Sequence, residues 1–200
     1  RRSLRMTSKV QGSLTPLFFI FTFQVFNMAL IKKCRGFEPS FGEDCWFAEN
    51  STIVGDVIMG DQCSVWFNAV IRGDVNSIQM GNKVNVQDGA CIHATYEKTK
   101  TTLGNNVSIG HNALVHGCTV EDNVLIGMGS IVMDNCYIES NVIIAAGAVL
   151  LEGTRVESWS VYAGVPAKKV KTLSPELFKG EVQRIANNYV LYSSWFKDEQ

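Results

Sequence analysis

A large net charge of either sign is missing from this sequence. Eighteen Lys and Arg stand against nineteen Asp and Glu, a formal net charge of −1. No global field draws it to nucleic acid or an anionic membrane surface, and neither is expected as a partner. No Cys-x-x-Cys pair occurs among Cys34, Cys45, Cys63, Cys91, Cys118 and Cys136. Scattered thiols without that pairing point to reduced cysteines and a cytoplasmic compartment. Histidine is scarce: His93, His111 and His116 are the only three. No acid precedes Glu38, and the longest early apolar run, Leu14 to Phe26, is too short for a comfortable transmembrane helix. Stable membrane insertion is therefore not expected.

What is present is a beat of six. Apolar residues recur at Val120, Ile126, Val132, Ile138, Ile144, Leu150, Val156 and Tyr162 without a break. The same beat runs through Phe47, Ile53, Met59, Val65 and Ile71, then Met80, Val86 and Ile92, then Leu103, Ile109 and Val115. Glycine often follows the beat residue, as in Met59-Gly60 and Leu103-Gly104. Six is neither the 3.6 of a helix nor the 2 of a strand. It is the period of a β-solenoid in which each hexad forms one face, three hexads close a triangular coil, and the beat residue points to the axis. Cysteines one coil apart, Cys45 with Cys63 and Cys118 with Cys136, fall within disulfide reach, although packed free thiols are the favoured reading.

Three segments follow from the pattern. Residues 1–27 lie outside the beat: Arg1, Arg2, Arg5 and Lys9 precede the apolar run, as in a targeting segment, but no small-residue cleavage site follows. A non-native or dispensable extension is the expectation, with an organellar or exported protein as its alternative. Residues 28–171 form the solenoid. Residues 172–200 form a terminal helix, opened by Ser174 at the N-cap, Pro175 and Glu176. Phe178, Val182, Ile185, Tyr189, Tyr192 and Phe196 make one apolar helix face for packing on the solenoid flank. The beat is interrupted twice, by a step of nine from Ile71 to Met80 and a step of eleven from Ile92 to Leu103. Insertions of this kind in a solenoid tend to serve a binding face.

All three histidines fall within 24 residues, in the middle coils. His93 directly follows Ile92 and His116 directly follows Val115, so the two share a phase and should stack. His111 sits one face earlier. Five extended residues span about 16 Å, so one chain does not easily bring His111 and His116 to one ion. His93 and His116 of one subunit with His111 of the next would make a three-histidine site with an open position, the layout of a catalytic zinc centre.

The ordered set Ser64-Val65-Trp66-Phe67-Asn68-Ala69-Val70-Ile71-Arg72-Gly73-Asp74, Asn85-Val86-Gln87-Asp88-Gly89, Ile92-His93, Ile109-Gly110-His111-Asn112, Val115-His116-Gly117 and Gly164-Val165-Pro166-Ala167 resembles the γ-class carbonic anhydrase family. The resemblance covers roughly residues 28–196. It implies a mostly β fold, a left-handed parallel β-helix with a C-terminal α-helix, assembled as a homotrimer with metal sites at the subunit interfaces. It implies that His93, His111 and His116 ligate the metal, zinc by first choice with Fe²⁺ or Co²⁺ as alternatives. Arg72 and Asp74 correspond to an interface ion pair beside the site, Asn85 and Gln87 to polar residues that orient water or bicarbonate, and Asp88 to an interface residue. A salt network joining subunits, with no catalytic duty, is an equally good reading of Arg72, Asp74 and Asp88. The implied reaction is reversible hydration of CO₂ to bicarbonate by a metal-bound hydroxide.

One departure from the pattern stands out. The acidic loop of well-studied γ enzymes is short here, its only acid is Glu97, and Val75 follows Asp74. Slow or absent proton export, and so low activity, is expected. Two further functions stay open: a hexapeptide acyltransferase using an acyl-CoA donor and one histidine as base, and a non-catalytic trimeric assembly subunit.

Overall fold

The computed structural model describes residues 29–197; the expected extension at 1–27 lies outside the described residues. From Leu30 the chain winds into a parallel β-solenoid of about 7 turns. One column of register partners runs Trp46, Ser64, Asn85, Ser108, Leu125, Ile143 and Val161, one residue from each coil. The strands are mostly two or three residues long, too short to be stable alone, and each is held by the coil on either side. The beat residues do point to the axis: each one from Ile53 to Leu150 is at most 5% exposed, and together they form one continuous core.

Coil corners explain two further sequence features. Asp44, Gln62, Lys83, Asn106, Asn123, Asn141 and Trp159 all have positive φ, one at the same corner of each coil. Asparagine tolerates this left-handed conformation better than most residues, which is why it recurs there. The glycine after the beat makes room for the next coil. A Cβ on Gly104 would collide with Asp122 Oδ1, which instead accepts a hydrogen bond from Asn105 N at 2.7 Å. Gly81 with Asn105 and Gly60 with Asn82 repeat the device one and two coils earlier.

The two interruptions take different forms. The nine-residue step is not a loop but part of one long strand, Val70–Met80, beside Thr52–Met59. Their register passes from Gly55–Gly73 to Val57–Ile78, so Asp56 alone faces residues 74–77. This bulge re-aims the side chain of Asp74. The eleven-residue step is a true loop between strands Cys91–His93 and Thr101–Leu103.

The end of the solenoid differs from the sequence expectation. After Gly164 the chain reverses and Ala167–Thr172 pairs antiparallel with Ser160–Gly164, covering an edge of the last coil. Residues 175–197 are then helical: α-helical at Pro175–Leu177 and Arg184–Lys197, π-helical between them at Phe178–Gln183. Ser174 Oγ caps the start by accepting from Leu177 N at 3.2 Å. Val182 packs with Ile143, Val161 and Leu173 near the last coils, while Tyr189, Tyr192 and Phe196 pack on Trp46 and Trp66 near the first. Lys197 Nζ closes the run on Asp44 Oδ1 at 2.5 Å. All six cysteines are free; Cys45 Sγ donates to Gly60 O and Cys63 Sγ to Gly81 O, both at 3.2 Å. Among the described residues no helix is long and apolar enough to cross a membrane.

Candidate metal centre

Strands Cys91–His93 and Leu114–His116 stack on adjacent coils, and His93 and His116 are register partners. Ile92 and Val115 occupy the core, so alternation along the strand sends both histidines to the outer face. His93 Nδ1 lies 3.1 Å from His116 Nε2. Their remaining nitrogens meet carboxylates: His93 Nε2 is 3.2 Å from Asp74 Oδ1, and His116 Nδ1 is 2.7 Å from Asp134 Oδ1. Asp74 also accepts from Arg72 through Oδ2 at 2.6 Å. The pair expected beside the site is thus made within one chain.

The line Asp74–His93–His116–Asp134 has three contacts along four ring nitrogens. Three hydrogen bonds need three protons there, one more than two neutral imidazoles carry. Burial first, and the nearby Arg72 charge second, hold the pKa of His93 below its ordinary value, which opposes the extra proton. A cation held by these two histidines would remove the conflict, because both outer N–H groups could stay on their carboxylates. Two nitrogens on one tetrahedral zinc, each at about 2.0–2.1 Å, stand about 3.3 Å apart. The observed 3.1 Å is close to that separation. The donor chemistry therefore fits a divalent metal.

Both carboxylates are suited to remain ionised. Burial raises the pKa of Asp74, but hydrogen bonds from Arg72 and His93 outweigh it and hold the carboxyl below its usual range. At Asp134 burial again works upward and is outweighed by bonds from Thr95, His116 and Thr99.

His111 lies elsewhere, in the turn after strand Ser108–Ile109 on the other sheet. Its Nδ1 is 2.8 Å from Asp88 Oδ2, and its Nε2 is 3.4 Å from Tyr189 Oη of the helix. Among the described residues no three His, Cys, Asp or Glu side chains of the chain gather closely enough to hold a metal. Asn85 and Gln87 are buried on the His111 side. Gln87 Nε2 donates to Asn85 Oδ1 at 3.0 Å, and Asn85 Nδ2 donates to Ser108 Oγ at 2.8 Å. Gln87, His111, Leu125, Ile143 and Tyr189 border a cavity of about 400 Å³ between solenoid and helix.

The chain thus carries these residues in two separate groups. One holds Arg72, Asp74, His93 and His116; the other holds Asn85, Gln87, Asp88 and His111. Asp134, Thr95, Thr99 and Tyr189 are the residues that sequence reasoning missed. Asp134 falls eighteen residues after His116, one coil on, so the repeat itself held a signal for it. Tyr189 had none beyond its place on the apolar helix face.

Residues 117–152 match the family described as bacterial transferase hexapeptide (six repeats). A Methanocaldococcus jannaschii protein named "Probable carbonic anhydrase" is 51% identical over 145 residues, 72% of this chain and 88% of that one. "Gamma carbonic anhydrase 2, mitochondrial" of Arabidopsis thaliana is 36% identical over 157 residues, 76% of this chain and 56% of that one. Among solved structures, a hexapeptide transferase family protein from Anaplasma phagocytophilum superposes with a TM-score of 0.79 at 36% identity, covering 84% of this chain and 98% of its own. With this agreement over most of its length, the chain belongs to the γ-class carbonic anhydrase family of hexapeptide-repeat proteins.

Proposed function

We propose that three copies of this chain assemble so that His93 and His116 of one copy and His111 of the next hold one divalent metal, zinc or else Fe²⁺ or Co²⁺. The assembled site hydrates CO₂ reversibly to bicarbonate. One observation carries this reading: each of the three histidines has one ring nitrogen against a carboxylate, Asp74, Asp134 or Asp88. Metal-ligating histidines almost always give their other N–H to a carboxylate, a backbone carbonyl or water, which fixes the tautomer and turns the other nitrogen to the ion. When bound, the metal supplies the positive charge that acidifies water to near neutral pH.

The chain's own groups do the rest. Asp74, Asp88 and Asp134 hold the imidazole N–H groups. Asn85 fixes the amide of Gln87, leaving its second N–H and its carbonyl for a polar ligand beside His111. Support for assembly comes from an apolar ladder on the face that carries His93 and His116. Val70, Cys91, Leu114, Ile131 and Val149 are successive register partners there, and all are at least partly exposed in the single chain. A second copy laid on this face would bury it next to the two histidines.

An acyl-CoA-dependent acyl transfer is the second reading, supported by the transferase name of the Anaplasma phagocytophilum neighbour. It uses one histidine and leaves the three paired carboxylates without a role. Elemental analysis of anaerobically purified protein, with stopped-flow CO₂ hydration, separates the two. The expected result is one metal per chain and hydration that His111→Ala abolishes. A metal-free trimer that transfers acyl groups would overturn the proposal.

A further inference from the structure

Asp134 gathers three donors on two oxygens. Oδ1 accepts from His116 Nδ1 at 2.7 Å and from Thr99 Oγ1 at 3.0 Å, and Oδ2 accepts from Thr95 Oγ1 at 2.7 Å. The two threonines belong to the short loop after His93, and Thr95 N closes that loop on Thr99 Oγ1 at 2.9 Å. At the end of the loop Thr101 Oγ1 donates to the His93 carbonyl at 2.7 Å and accepts from Gly117 N at 3.0 Å. The loop is thus tied to the backbone of both histidine strands and to the carboxylate behind His116.

Gly117 makes the arrangement possible. It has φ of +53°, and a Cβ on it would collide with Asp134 Oδ1 and Thr99 Oγ1. Glycine directly after His116 therefore opens the path along which the carboxylate and hydroxyl reach the imidazole. An ionised carboxylate only accepts hydrogen bonds, so the nitrogen facing it has to carry the proton.

We propose that Asp134, held by Thr95 and Thr99, is a positioning residue of the metal centre: it fixes His116 as the Nδ1–H tautomer and keeps Nε2 aimed at the ion. This rests on the proposed centre of His93, His116 and His111. The inserted loop then has a mechanical duty, to lock a carboxylate that locks a ligand, and its hydroxyls matter more than its one acid, Glu97.

The test uses the full chain, labelled with ¹⁵N-histidine, with two readouts. NMR of the metal-free protein reports the His116 tautomer, and competition with a chromogenic chelator reports Zn²⁺ affinity. Wild-type protein should show His116 protonated at Nδ1. Asp134→Ala should lose that signature and weaken Zn²⁺ by about 10–100-fold, the usual range for a partner behind a ligand. Asp134→Asn keeps the shape without the charge and should fall at the low end. Thr95→Val with Thr99→Val removes both hydroxyls without touching the carboxylate. It should shift tautomer and affinity in the same direction by less, and it keeps the idea testable if Asp134→Ala does not fold. Unchanged tautomer and Zn²⁺ affinity within twofold of wild type in these variants would overturn the positioning role. Failure of the wild-type protein to bind Zn²⁺, Co²⁺ or Fe²⁺ would instead overturn the metal centre, whatever the tautomer.

Discussion

Between Val120 and Tyr162 the beat of six never breaks; between Ile71 and Leu103 it breaks twice. The first region holds core residues such as Val132, Ile138 and Leu150, each 0% exposed, and most of the stretch matched to the hexapeptide family, residues 117–152. The second holds Asp74 in its bulge, His93 at the end of a strand, and Thr95 and Thr99 in its loop. Regular coils stack a solenoid but present the same outer surface on every turn. The two departures bring Asp74, Thr95 and Thr99 around His93 and His116, which themselves keep the phase of the repeat. Asp134 joins the two regions: it sits in the regular part and pairs with His116 and with the loop threonines.

The largest effect should break the site and leave the stack intact. His93→Ala and His111→Ala should each lose metal when prepared alone, and co-refolding the two should restore part of it. A neighbouring pair can still combine His93 and His116 from one mutant with His111 from the other. Metal per trimer in the mixed sample is the measurement; mixed trimers without metal would show that the sites are not shared between subunits. Next comes the regular region. Ile138→Ala should cost about 2–5 kcal/mol in denaturant unfolding, as for other buried large-to-small changes, and leave metal per folded chain unchanged. A loss of metal there would mean that core packing in the coil of Asp134 reaches the histidines on the adjacent coil.

Arg72→Ala should have a smaller effect on the isolated chain. The Arg72 side chain is 45% exposed, and its pair with Asp74 lies on the outer face. About 0–1 kcal/mol is expected from such a pair. Sedimentation across a dilution series sharpens the comparison: dissociation of the trimer at concentrations where wild type stays assembled would show that subunit contact desolvates this pair.

The smallest effect is a pH dependence in the regular coils. Hydrogen bonds from Tyr137 and then Ser140 hold the Glu121 carboxyl below its ordinary pKa. A depressed folded pKa means the contribution is present above the unfolded carboxylate value and is lost as pH falls through the lowered one. The stability gap between wild type and Glu121→Gln should therefore narrow steadily as pH is lowered through that window. Unfolding curves across the acid range check it; a gap that is constant with pH would mean Glu121 does not titrate against these partners.

Much of this was legible without coordinates. The spacing of six identifies the solenoid because a residue one coil away always lands in the adjacent rung. Shared phase alone places His93 beside His116, and their register pairing agrees. Ser174-Pro175 marks the helix start by cap chemistry that acts over three residues. Asp134 was harder to read, since many outward polar residues repeat at one coil and only the missing Cβ of Gly117 selects this one. The antiparallel strand Ala167–Thr172, with four lysine or threonine side chains and no alternation of its own, carries no strand pattern; it forms because the last coil has an edge to cover.

By itself, then, the sequence determined the period, the inward and outward faces, the stacking of two histidines and the terminal helix, all of which follow from short-range repetition. Tertiary structure decided how far the insertions carry Asp74, Thr95 and Thr99, and which carboxylate each imidazole meets. It also decided that the helix returns along the solenoid to bring Tyr189 over His111. The reason is physical: repetition sets which residues are neighbours along the axis, whereas the direction of a side chain at a corner depends on bulges, loops and packing that the repeat does not encode.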